Sequence, residues 1–224
     1  MRLQLLTPPA VEPIALADAK QHLRVISTDQ DAIISRLIVA ARRWCEAKLK
    51  QSLVTQTWKL YLDSFPSAGG YYNRAIREVW PSLGGMPSGL GFYPGLIPNS
   101  TGVIDLPNGP IQSITSVQYV DFEGVLQTYD PSNYVSSLGF PGKLQPQYSH
   151  VWPISRPTID SVQIAYVTGY GDAAASVPEN IQAAILLIVG NWYERREWTS
   201  DTQYLSVPHT VEDLLAASDH GAYY

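Results

Sequence analysis

Between Lys50 and Leu53 the hydrophobic period changes, and that change restricts the fold more than any other feature of the chain. Upstream, Gln30 to Lys50 places Ile33, Ile34, Leu37, Ile38, Ala41, Trp44 and Cys45 on one stripe, with Asp31, Arg36, Arg42, Arg43 and Glu46 largely opposite. Residues three and four apart share a helix face, so this is an amphipathic helix with one side to bury. Downstream, Val54, Gln56, Trp58, Leu60 and Leu62 alternate with Thr55, Thr57, Lys59, Tyr61 and Asp63, which is the period of a strand. A chain that carries both periods is neither a helical bundle nor a plain β-barrel.

The remaining signals extend this pattern to both ends. A short helix is predicted from Ile14 to Val25, entered at Pro13 with Leu16, Ala19 and Leu23 on one face, and Ser27-Thr28-Asp29 offers caps for the next helix. Strands are predicted at Val103–Leu106, Ile111–Asp121, Val125–Tyr129, Tyr134–Ser136 and Ser161–Val167, with turns at Glu123-Gly124 and Asp130-Pro131-Ser132-Asn133. Val177-Pro178-Glu179 opens a helix that runs to about Arg196 and is apolar almost all round over Ala183–Val189. A last helix, Val211–Ala217, precedes a polar-aromatic tail, Ser218–Tyr224. The predicted fold class is α+β: N- and C-terminal helices pack together around a central antiparallel β-rich region, with one core shared between the helices and a sheet face. At roughly 100 to 200 residues per domain, the 224 residues fit one domain with an elaboration. Its parts are helical (1–50), β-rich (51–170), helical (177–217) and tail (218–224).

The elaboration is the Gly-, Pro- and Tyr-rich insertion 66–102, where Gly69-Gly70, Gly84-Gly85 and Pro94-Gly95 break every period. Loops beyond roughly 15 residues in compact domains tend to be functional or disordered. Tyr71, Tyr72, Trp80, Phe92 and Tyr93 make this one a candidate partner-contacting segment. Charged residues are only 16% of the chain against roughly 25% in an average soluble protein. Together with 14 Tyr and 6 Trp, that points to surface covered by partners, or to a tyrosine-rich β core. A net charge of −5 argues against phosphate-driven binding of nucleic acid, without excluding DNA that passes by ungripped. The sole Cys45 rules out an internal disulfide and a multi-cysteine zinc site, and reads as a buried apolar residue. The N-terminus lacks the apolar region of a signal peptide and no run is long enough for a membrane span, so a soluble, unexported chain is expected.

No nucleophile elbow, zinc-protease, phosphate-loop or calcium-loop pattern occurs, and His22, His150, His209 and His220 are scattered. Gly169-Tyr170-Gly171 lacks the further glycine and lysine of a phosphate loop and reads as a turn. Glu212-Asp213 and Asp121 with Glu123 are ordinary solvated carboxylates. No catalytic or metal-binding residue and no cofactor is predicted. Arg42-Arg43 and Arg195-Arg196, read as lying near the ends of the two main helices, complement the helix dipoles or pair with acids of a neighbouring copy.

In their order along the chain, Leu5–Val25, Asp31–Trp44 with Ala-Ala-Arg-Arg-Trp, Thr55–Pro66, Asp105–Val117, Ala165–Gly171 and Val177–Glu197 resemble the head-tail connector (adaptor, head-completion) proteins of long-tailed bacteriophages. The resemblance implies a non-catalytic virion protein of the neck, made in the host bacterial cytoplasm. It implies a homo-oligomeric ring of about 12 copies, docked on the portal protein. Such a ring extends the channel for genomic dsDNA and presents a platform to the next neck or tail protein. In such rings the C-terminal segment commonly reaches the portal, which makes Leu214, Leu215, Tyr223 and Tyr224 of this chain candidate portal anchors. A carbohydrate- or receptor-binding β module of a tail structure is the alternative, resting on Tyr72, Trp80 and Tyr93.

Overall fold

The structure, a computed structural model, describes residues 1–66, 102–195 and 209–217. Eight strands and four helices are described: β1 (Arg2–Thr7), α1 (Leu16–Leu23), α2 (Asp31–Leu49), β2 (Gln56–Leu62), β3 (Ile104–Leu106), β4 (Ile111–Val120), β5 (Leu126–Thr128), β6 (Tyr134–Ser137), β7 (Gly142–Pro146), β8 (Val162–Thr168), α3 (Glu179–Glu194) and α4 (His209–Ala216). The α+β reading holds. β1 and β7 are strands that the residue pattern did not announce.

The strands form an antiparallel five-stranded sheet in the order β1-β2-β8-β4-β5 and a three-stranded sheet in the order β3-β7-β6. Register explains the inner face of the larger sheet. Leu60 and Val117 both pair with Ile164, Trp58 and Ile114 both with Tyr166, and Leu62 and Tyr119 both with Val162. These nine side chains therefore lie in rows across one face, as the alternation from Trp58 predicts. Ile111, Ile114 and Val117 are spaced by three, which would break a strict strand period. Register shifts at Ile111/Ser113 and Ile114/Ser116 bring them back to the same side. Ile104, Leu106 and Leu144 of the smaller sheet join this face in one buried cluster.

A second cluster belongs to the helices. Ile34, Ile38, Ala41, Cys45 and Leu49 of α2 pack with Ile181, Ala184, Ile185, Ile188 and Val189 of α3, and α4 adds Val211 and Leu215. The single shared core expected from the sequence is thus two cores. Leu53 and Val54 belong to the helical one, because the chain does not become a strand until Gln56.

Helix ends differ in detail from expectation. Ser27 and Asp29 bond to each other, so neither caps α2, whose first turn begins at Gln30 without a side-chain cap. α1 stops at Arg24 and α2 at Lys50, both left-handed, and the freed backbone N–H groups bond back to carbonyls of the last turn. Ile33, placed on the buried stripe by its spacing, is 47% exposed.

A short run of backbone bonds ties the two units together. Ser52 N–H donates to the Gly109 carbonyl at 3.0 Å, Thr55 N–H to Gly171 at 3.1 Å, and Tyr170 N–H to Leu53 at 3.1 Å. Gly169, in the predicted turn, has a φ of +121°, and an added Cβ would lie 2.6 Å from the Val54 carbonyl. Only glycine lets the strand end approach the helical unit this closely.

Candidate assembly surfaces

Arg42 is the hub between the helices and the larger sheet. Its guanidinium donates through Nε to Glu12 Oε2 at 2.7 Å and through Nη1 to Glu46 Oε2 at 2.7 Å, with a longer bond from Nη2 to Glu12 Oε1 at 3.3 Å. The second oxygen of Glu46 accepts from the Leu53 N–H and from Gln56 Nε2. One buried cation and one carboxylate thereby join the segment before α1, the body of α2 and the start of β2. Burial disfavours the Arg42 charge, but the hydrogen bond to Glu12 and the charges of Glu46 and Glu12 outweigh it and hold its pKa above the ordinary value. Burial pushes Glu46 upward, opposed by Arg42 and by the bonds from Leu53 and Gln56.

This geometry corrects the expectation for Arg42 as an inter-subunit residue. Its side chain is 5% exposed and its donors are committed within the chain. Nor does the pair lie at a helix end, since Arg42 stands roughly two turns before the end of α2. Arg43, by contrast, is exposed on the outer side of that helix. Arg195 is exposed just past the end of α3, and Arg196 lies outside the described residues.

The C-terminal helix gives a second correction. Leu215 is buried and Leu214 is half-buried against the helical core, and Asn180 Nδ2 donates to the Leu214 carbonyl at 2.9 Å. Both leucines hold α4 to its own chain, which removes Leu215 as a ready anchor for another protein and leaves Leu214 only partly available. Tyr223 and Tyr224 lie outside the described residues, as do Tyr71, Tyr72, Trp80, Phe92 and Tyr93 of the insertion.

At the end of the larger sheet away from the helices, β2 finishes, β8 begins, and the β4–β5 hairpin turns. Asp121 shapes that hairpin: its carboxylate accepts from Gln127 Nε2 and from the Val125 N–H, each at 2.8 Å, and these bonds lower its pKa. Behind it, Trp152 is buried, stacks on Phe65 at 4.8 Å and donates from Nε1 to the Gly102 carbonyl at 2.6 Å. Ser64–Pro66, Gly102 and Pro146–Ser155 line a cleft of about 630 Å³. Around this end stand Tyr148 at 93% exposed, Ile159 at 82%, Val151 at 79% and Ile154 at 74%. Sequence reasoning missed this patch. Its signal is a run of single apolar residues between prolines, Val151-Trp-Pro-Ile-Ser-Arg-Pro-Thr-Ile159, with no period of any core element.

Among the described residues no group of His, Cys, Asp or Glu is arranged to hold a metal ion. The described residues present exposed surfaces on the outer side of α2 and at the loop end.

Comparison with known proteins gives those surfaces a context. Residues 13–83, which take in α1, α2 and β2, match the family model of phage gp6-like head-tail connector proteins. Over that stretch, about a third of the chain, the sequence is similar to the family that it resembles on reading. Solved structures share the fold over nearly its whole length. A chain from the neck of an empty gene transfer agent (GTA) particle, computed with C6 symmetry, aligns with a TM-score of 0.66 at 16% identity, over 96% of this chain and 95% of that one. A chain from the virion of the native GTA particle aligns with a TM-score of 0.65 at 17% identity, over 96% and 95%. A third, from the native neck computed with C12 symmetry, gives 0.62 at 17% identity over 94% of each. No curated protein matches the sequence. The neighbours that share this fold come from virions and particle necks.

Proposed function

We propose that this chain is a connector that forms a ring of about 12 copies, docks on the portal, extends the DNA channel and offers its loop end to the next neck or tail protein. One observation carries the reading. A helical unit and an exposed apolar loop end stand at opposite ends of one sheet, held in fixed relation by the Arg42 hub and the bonds of residues 52–55. A subunit built this way transmits position from one layer of a neck to the next. The C12 and C6 symmetries of the necks that contain similar folds favour a closed ring. The role is non-catalytic and uses no cofactor, and genomic DNA passes without sequence-specific contact, in keeping with the net charge of −5.

The test is a loop-end variant, Val151→Ser with Ile154→Ser and Ile159→Ser, supplied to particles that lack the native connector. These side chains are exposed, so the melting temperature stays within about 2 °C of the parent. Electron microscopy then shows portal-bound connector rings that lack the following component. Complete necks, or a variant that no longer reaches the portal, would each refute the assignment of the loop end.

A further inference from the structure

The outer faces of α2 and α3 differ in charge and point in opposite directions. α2 and α3 pack on each other through their buried residues, so the side of each turned away from that contact is outside. On α2 that side carries Ile33, Arg36, Ala40, Arg43 and Ala47, all exposed, and it has no acid. On α3 it carries Glu179, Ala183, Leu187 and Glu194, with Leu187 38% exposed and both glutamates exposed. Arg36, Arg43, Glu179 and Glu194 make no ion pair among the described residues, whereas Lys20, Lys48 and Arg42 are paired within the chain.

We infer that the α2 outer face of one copy packs against the α3 outer face of the next, forming the repeated contact of the ring. This rests on the ring reading above and names its interface. Each face has a small or apolar centre between charges: Ala40 lies between Arg36 and Arg43, and Leu187 between Glu179 and Glu194. At about 1.5 Å per residue the arginines are about 10 Å apart along α2 and the glutamates about 22 Å apart along α3. The difference, roughly 6 Å at each end, is spanned by extended Arg and Glu side chains when the centres meet. The α2 face pairs poorly with itself, because a two-fold would set Arg36 and Arg43 of one copy against the arginines of the other. A two-fold dimer through it is therefore disfavoured, and the complementary match is head-to-tail. A head-to-tail contact between opposite sides of a subunit propagates, and it closes into a ring when the rotation permits. His22 of α1 lies beside Gly190, at the edge of the α3 face.

The experiment uses the full chain in three charge-reversed forms. One carries Arg36→Glu with Arg43→Glu, one carries Glu179→Arg with Glu194→Arg, and the third carries all four changes. Oligomeric state is read by native mass spectrometry over a concentration series, alone and with purified portal, and circular dichroism confirms the fold. The inference expects the parent to assemble, each double reversal to raise the concentration needed at least tenfold, and the fourfold reversal to restore assembly. Assembly that is indifferent to either double reversal, or is not restored in the fourfold form, overturns this interface while leaving the ring intact. A parent that stays monomeric both alone and on the portal overturns the ring reading, and this inference with it.

Discussion

Replacing Arg42 by Met tests whether the hub stabilises the fold. The substitution keeps much of the apolar stem and removes every hydrogen bond to Glu12 and Glu46. The two carboxylates then fare differently. Glu12 is 29% exposed at its side chain and recovers water, so its share is small, about 0 to 1 kcal/mol. Glu46 is 16% exposed and remains bound to Leu53 N–H and Gln56 without a cation. Leaving one partner of a buried pair uncompensated costs about 3 to 5 kcal/mol, and the residual exposure favours the lower end, about 3 kcal/mol. For a chain of this size that lowers the melting temperature by about 6 to 12 °C.

Sign and pairing make the reasoning checkable. Burial already holds Glu46 above its ordinary 4.5, and loss of Arg42 raises it further. A carboxylate whose folded pKa exceeds its unfolded one stabilises the fold below the unfolded value, and that stability is lost as pH rises through the folded value. The Arg42→Met deficit is therefore largest at pH 7 and shrinks on acidification toward pH 4.5. Adding Glu46→Gln removes the stranded charge and recovers at least about 1 kcal/mol at pH 7. Urea denaturation of the four proteins of this cycle at two pH values gives both numbers. A single variant within about 0.5 kcal/mol of the parent, or a double variant that is simply additive, would falsify the account of Arg42 as a hub.

Three further outcomes are expected. Cys45 is buried, and desolvation followed by the charge of Glu46 pushes its thiol from 9.0 up to about 12, so thiol reagents label it only on unfolding. Because the folded pKa is raised, the stability that parent holds over Cys45→Ala narrows above pH 9 by about 1.4 kcal/mol per pH unit, readable in denaturation series at pH 8 and 10. Gly169→Ala drives a Cβ into the Val54 backbone and costs about 3 kcal/mol or more, whereas Gly139→Ala, also at positive φ but with open space around it, costs about 1 to 2 kcal/mol by thermal melting. Leu215→Ala lowers the stability of the isolated chain by about 2 to 4 kcal/mol whether or not portal is present, and a loss seen only in portal binding would restore that residue to a docking role.

How far the residues disclosed this molecule depends on where the physics that decides each feature is written. α2 and α3 were legible because a helix buries one face and its spacing records which. β2 and β8 were legible for the same reason at the strand period. β1 was not, because as an edge strand it has five of its six residues exposed and so carries no buried row. β7 was not, because Leu144 is the one buried apolar side chain between Gly142 and Pro146. Arg42 was read as outward-facing from its own helix alone. What buries it is Glu12, thirty positions earlier, together with Glu46 one turn on. The exposed loop end escaped for the opposite reason: an apolar surface outside any core element has no period to reveal it.

The two cores, taken with the hub, suggest why the chain keeps a buried ion pair where an apolar contact would serve stability as well. An apolar seam between the helical unit and the sheet would hold them together but tolerate sliding, since apolar packing is not directional. The fork of Arg42, set against two carboxylates from different segments and backed by Leu53 and Gln56, accepts one relative placement. In the ring proposed above, an angular error between the two units would repeat in every copy and shift the loop ends relative to the helices. Replacing Arg42 and Glu46 together by Met and Leu separates the two roles. Such a chain should regain most of its stability, since buried pairs are often replaceable by packed apolar residues. It should nonetheless give loop ends that are less well ordered than the helical layer when particle necks are reconstructed. Equal order in both layers would reduce the hub to a stabilising contact with no part in fixing geometry.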